Sequence, residues 1–179
     1  MKHSIEAAPG RRPIVSLAAA IFAVLAALGT LFTHHRSIAA LSEKNQAILV
    51  QGRATDTYNA YEAKQIRFNI YQALLTTELA RDPASRARLQ AIAEKERESS
   101  PAVLDTAKAL AKEAESYDAH AEVTLKSYET LLFATTFFEI AIVMVSIAAL
   151  ASARILLPVG GGLAAVGIVL LVAGLLQGR

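Results

Sequence analysis

Residues 131–151 read LLFATTFFEIAIVMVSIAALA. As a helix this run covers the roughly 30 Å hydrocarbon core of a bilayer. It holds one charge, Glu139, near its middle. A carboxylate at that depth is costly, so Glu139 is expected to face protein or water. Two further runs have the same character. Residues 14–33, IVSLAAAIFAVLAALGTLFT, carry no charge and lie between Arg11-Arg12-Pro13 and His34-His35-Arg36. Residues 158–176, PVGGGLAAVGIVLLVAGLL, open on Pro158, which suits a first helical position. Only residues 152–157 separate the last two runs, which allows a tight turn and an antiparallel membrane hairpin. A secretory signal has an apolar core of about 7–15 residues and a small-residue cleavage site, so the longer first run reads as a retained anchor.

The composition agrees. Hydrophobic residues make up 54% of the 179 and charged residues 19%, whereas soluble domains hold about 45–50% and about 25%. The excess sits in the three runs. The chain has no cysteine, which excludes disulfides, a thiol nucleophile and zinc–cysteine sites. A net charge of +2 is too small to attract nucleic acid.

Between the first and second runs, residues 34–129 carry 13 Lys/Arg and 14 Asp/Glu. Arg81-Asp82-Pro83 is the strong breaker. Asp82 makes a good N-cap and Pro83 a good first helical residue. Ser100-Pro101 offers either a second helix start or a kink within one longer helix. In the first arm Tyr58, Tyr61, Phe68, Tyr71, Leu75 and Leu79 recur at helical spacing, and Asn45, Thr55 and Gln65 fall on its extrapolated seam. In the second, Val103, Ala107, Leu110, Ala114, Tyr117 and Ala121 form a heptad seam in which alanine permits close approach. Arms over 36–80 and 83–129 are nearly equal, each roughly 70 Å if fully helical.

The fold class read from these patterns is all-α. The chain reads as an integral membrane protein with three transmembrane helices and a long antiparallel, coiled-coil-like helical hairpin between the first and second. The expected organisation is an N-terminal tail 1–13, spans 14–33, 130–151 and 158–176, the hairpin 34–129, a turn 152–157 and a C-terminal tail 177–179. Lys2, Arg11, Arg12 and Arg154 would lie on one side and Arg179 on the other. The positive-inside rule then places the N-terminus in the cytoplasm and the hairpin in the periplasm.

The segment Asp56-Thr57-Tyr58-Asn59-Ala60-Tyr61-Glu62-Ala63-Lys64-Gln65-Ile66-Arg67 resembles a motif, D-Q-W-x-Y-Y-Q-A-K-x-I-K, of the bacterial membrane family named domain of unknown function 4337. The His34-His35-Arg36 end of the first run and the stretch from Phe138 through Ser146-Ile147-Ala148 resemble the same family, over about Ile14 to Leu176. The resemblance implies one N-terminal span, a charged helical middle and two C-terminal spans. It implies no activity. Tyr58 stands at the family's tryptophan, Ala60 at an aromatic, and Glu62 and Glu139 at glutamines. An arginine cluster that follows the second span in the family is reduced here to Arg154.

Several residues are candidate sites. Thr135, Glu139 and Ser146 share one heptad stripe with Ile142, Ala149 and Ala153, while Phe137, Ile140, Met144 and Ile147 suit lipid. This stripe reads as a polar helix contact or an ion relay. A glutamine serves a contact equally well but does not titrate, which favours the contact. Ala19, Ala23 and Ala26, with Thr30 and Thr33, form a packing stripe in the first span. Gly160, Ala164, Gly167 and Gly174, with Leu171 and Gly178, form one in the third. Gly160-Gly161-Gly162 is no phosphate loop, because no strand precedes it. Tyr58, Tyr61, Lys64, Phe68 and Tyr71, with Ala107 and Ala114, form the stalk seam or a partner patch. His34, His35 and Arg36 mark a membrane interface. Adjacent helix positions point about 100° apart, so His34 and His35 cannot chelate one ion within a single helix.

No catalytic, metal or cofactor set is expected. The partners expected are membrane lipid and further copies of the chain, or a larger membrane complex, and not nucleic acid. The function expected is that of a non-enzymatic scaffold or accessory subunit in the bacterial inner membrane. A channel or transport component using Glu139, and a sensor acting through a partner, are the alternatives.

Overall fold

The computed structural model describes residues 12–77, 81–151 and 155–177. Its elements are α1 (Arg12–Leu74), α2 (Pro83–Ala151) and α3 (Leu156–Gln177), with no strand among the described residues. Each is long and apolar enough over part of its length to cross a membrane. The sequence positions Leu79, Ala153, Arg154 and Gly178, most of the N-terminal tail and part of the turn after Ala151 lie outside the described residues.

α1 and α2 each join an apolar run to a charged arm without a break. α1 passes through His34-His35-Arg36 with its helical backbone uninterrupted. α1 closes at Leu74 rather than at Ala80. There the backbone tightens, with Thr76 N and Thr77 N donating to the carbonyls of Ala73 and Leu74 at 3.1 and 3.0 Å. The two threonine hydroxyls donate to the same carbonyls at 2.7 Å and satisfy the frayed end. α2 begins where Asp82 caps it: Ser85 N and Ser85 Oγ each donate to Asp82 Oδ2 at 2.9 Å. Of the two options at Ser100-Pro101, the structure takes the single helix, because α2 runs through Pro101. Ser99 and Ser100 donate to the carbonyls of Lys95 and Glu96, both at 2.7 Å, in the turn before it.

The chain divides into two compact units. One comprises residues up to Leu41 and from His120 onward. Its core joins Ala26 of α1, Ala134, Phe138 and Ala141 of α2, and Ala164 of α3. α2 is the central helix here, with 39% of its most apolar stretch buried against 17% for α1 and 22% for α3. The three helices are apolar on all sides, so side-chain size decides which faces meet. Leu131, Phe138 and Val145 are buried knobs on α2, and Gly174, Gly167 and Gly160 are the holes on α3. A Cβ added at these glycines would stand 2.8 Å from Leu131 Cγ, 2.8 Å from Phe138 Cε1 and 2.9 Å from Val145 Cγ2. Ser127 is fully buried and donates to the Gly174 carbonyl at 2.6 Å. On the α1 side, a Cβ at Gly29 would meet Thr135 Oγ1 at 2.6 Å.

The other unit, Ser42–Ala119, is built from the arms alone. Ala47, Val50 and Ala54 of α1 and Ala93, Ala107 and Ala114 of α2 are buried. Lys44 bonds Asp118. Farther along α1, Lys64 Nζ reaches Glu96 Oε2 at 3.2 Å and Ser99 Oγ at 2.8 Å, and Arg67 Nε reaches Glu96 Oε1 at 3.4 Å. The extrapolated seam of the first arm is corrected here. Asn45 and Thr55 are exposed, and the buried row passes through Ala47, Val50 and Ala54, with Gln65 half-buried. Alanine carries almost no amphipathic signal, so a row anchored on tyrosines drifts by one residue when extended into it.

Candidate functional site: an exposed carboxylate in the apolar helices

Thr135, Glu139 and Ser146 share a stripe in sequence but not an environment. Thr135 is buried and donates to the Leu131 carbonyl at 3.0 Å. Ser146 is exposed and donates to the Ile142 carbonyl at 2.8 Å. Both hydroxyls are therefore satisfied within their own helix. Glu139 is exposed, and no described residue bonds its carboxyl group. Thr136, Val143 and Leu150 are also exposed on its side of α2.

The buried face is thus turned from the one expected. It contains Phe138 in place of Glu139, because Phe138 fills the hole that Gly167 leaves and Glu139 has no such counterpart. Met144 and Phe137, assigned to lipid by the sequence, are half-buried, while Ile140 and Ile147 are exposed.

Among the small-residue stripes, Gly160, Ala164, Gly167 and Gly174 are buried together on α3. In α1 the stripe shifts. Ala26 and Thr33 are buried, Ala19 is half-buried, and Ala23 and Thr30 are exposed. Gly29, which the stripe omitted, makes the close approach to Thr135. It is the one glycine of residues 14–33, and that was the available signal.

Tyr58, Tyr61, Lys64, Phe68 and Tyr71 are all half-buried, and Ala107 and Ala114 are buried at 0% and 3% exposure. Lys64 is drawn in by Glu96, which the sequence alone did not single out. His34 and His35 are exposed and Arg36 is half-buried. Among the described residues, no group of three His, Asp or Glu side chains is placed to hold a metal ion.

These features define an all-α protein of three long helices with the length and apolarity of a membrane protein. The chain belongs to the family described as Domain of unknown function (DUF4337), whose model matches residues 12–177. That description assigns no activity. No curated protein and no solved structure matches the chain.

Proposed function

We propose that this chain is a non-enzymatic multi-pass protein of the bacterial inner membrane, a scaffold or accessory subunit that associates with its own copies. In this reading α1 and α2 form an antiparallel, coiled-coil-like hairpin between the first two spans. The ion pairs support that direction, since the partner's number falls from Asp118 to Glu96 as α1 advances from Lys44 to Lys64. The hairpin is periplasmic, on the strength of Lys2, Arg11, Arg12 and Arg154 against Arg179.

The observation that carries self-association is the apolar surface left on the Ser42–Ala119 unit. Ile48, Leu49, Ile66 and Ile70 are 65%, 65%, 59% and 51% exposed in a segment rich in charge. A second copy would cover them and complete a bundle of four helices or more. Replacing Ile66 and Ile70 by Glu adds charge at positions that the chain itself leaves more than half exposed. The expected result is a smaller assembly by detergent-corrected light scattering, with helix content unchanged. A monomer in the starting protein, or an unchanged mass in the variant, rejects this reading.

A channel or transport component is the second reading, favoured by the exposure of Glu139 and by no described residue bonding its carboxyl group. Proton flux in proteoliposomes that disappears in Glu139→Gln selects it. No flux in either protein leaves Glu139 as a contact between copies, which glutamine can replace.

A further inference from the structure

Where the apolar runs of α2 and α3 end, the unit containing His120 onward has an open groove of about 470 Å³. Val123, Lys126, Glu129, Thr130 and Gln177 line it. Lys126 and Glu129 are the last charges before the run that begins at Leu131. Both are exposed, and no described residue of opposite charge lies within ion-pair distance of either. Residues three apart on a helix are neighbours, so the groove presents a cation and an anion side by side. Its floor is held in place by Thr130, whose Oγ1 stands 2.9 Å from the Lys126 carbonyl oxygen and 3.1 Å from Gln177 Oε1, its one proton shared between the two acceptors.

We propose that this groove binds the headgroup of a zwitterionic phospholipid bearing a primary amine, with its phosphate on Lys126 and its ammonium on Glu129. A two-carbon ethanolamine bridge holds those two charges a short distance apart, matching neighbouring positions on one helix face. Each side of the groove contributes selectivity. Glu129 repels a purely anionic headgroup. A quaternary ammonium has no N–H to donate to the carboxylate, so choline forfeits the charge-assisted hydrogen bond that ethanolamine makes. Val123 gives the groove an apolar edge. The same headgroup chemistry is available from a soluble phosphoethanolamine, but the groove's place at the end of two apolar helices selects the lipid, since acyl chains can lie along them. The inference rests on the membrane reading and is independent of self-association.

The test uses the full chain, extracted in mild detergent and delipidated, with native mass spectrometry as the readout. The probes are phosphatidylethanolamine, phosphatidylglycerol and phosphatidylcholine with identical acyl chains. Wild type should retain phosphatidylethanolamine several-fold more than the other two. Glu129→Gln should erase the preference over phosphatidylglycerol while still binding phospholipid, and Lys126→Gln should lower retention of all three. Both side chains are exposed, so circular dichroism of each variant should match wild type. Equal retention of the three lipids by wild type, or a preference unchanged in both variants, overturns the proposal. Displacement of the lipid by millimolar glycerophosphoethanolamine overturns the lipid source in favour of a soluble ligand. Recovery of the chain from cells without detergent overturns the membrane reading itself, a result distinct from loss of selectivity.

Discussion

Gly167 and Gly161 sit on the same helix and make opposite demands. A methyl group at Gly167 would press on the Phe138 ring at 2.8–3.1 Å, and Phe138 is fully buried. At Gly161 nothing stands within 4 Å. Gly167→Ala should therefore destabilise the packing by about 1–3 kcal/mol, as overpacked cores do. Gly161→Ala should leave stability unchanged or raise it by up to about 1 kcal/mol, because alanine is the better helix former. Thermal unfolding in detergent micelles reads both, and equal losses would refute the knob-and-hole contact. The glycines of α3 were legible in the sequence as small residues in a row. Their partners were not, because Leu131, Phe138 and Val145 differ little from other apolar residues until a glycine is placed opposite them.

At the scale of the element, the start of α2 and the pairing of the arms each allow a prediction. The Ser85 N–H, then the Ser85 hydroxyl, holds the Asp82 carboxyl below its ordinary range, with the Ala84 N–H adding to the effect. A depressed folded-state pKa means that the cap's contribution is complete above the unfolded pKa of about 3.9 and fades as pH falls through the lower folded value. Asp82→Asn keeps a capping oxygen but does not titrate, so it should flatten that part of the acid limb in thermal melts recorded against pH. An acid limb identical to wild type would show that Asp82 contributes nothing to it. Farther along α2, Glu96 is only 17% exposed and Lys64 22%. Glu96→Gln leaves that ammonium short of a counter-charge in a half-dry site and should cost about 1–2 kcal/mol. Adding Lys64→Gln should recover part of the loss if the two side chains are coupled. Hydrogen exchange resolved by peptide would localise the change to the neighbourhoods of Lys64 and Glu96, and a change spread over the whole chain would count against the pair.

For the molecule as a whole, the proposed topology places Ser42, Ser85 and Ser116 outside the cytoplasm and Ser4 inside. Since the chain has no cysteine of its own, single cysteines at these positions report without background. The first three should react with an impermeant thiol reagent added to intact spheroplasts, and the cysteine at Ser4 should react only after lysis. The inverse pattern would reverse the orientation. It would also move the Lys126–Glu129 groove to the other leaflet without altering its chemistry.

The sequence by itself determined the three apolar helices, the start of α2 at Asp82-Pro83 and the family, because length, hydropathy and capping chemistry are local properties. It also marked the alanines at 107 and 114, which the structure buries. Tertiary structure alone decided which face of each helix is covered. Adjacent heptad rows differ by one residue, and in α1 that residue separates exposed Thr55 from buried Ala54. In α2 it separates exposed Glu139 from buried Phe138. Where a helix is apolar all round or rich in alanine, polarity does not distinguish neighbouring rows. The choice falls to volume matching across the interface, and a single helix does not carry that information.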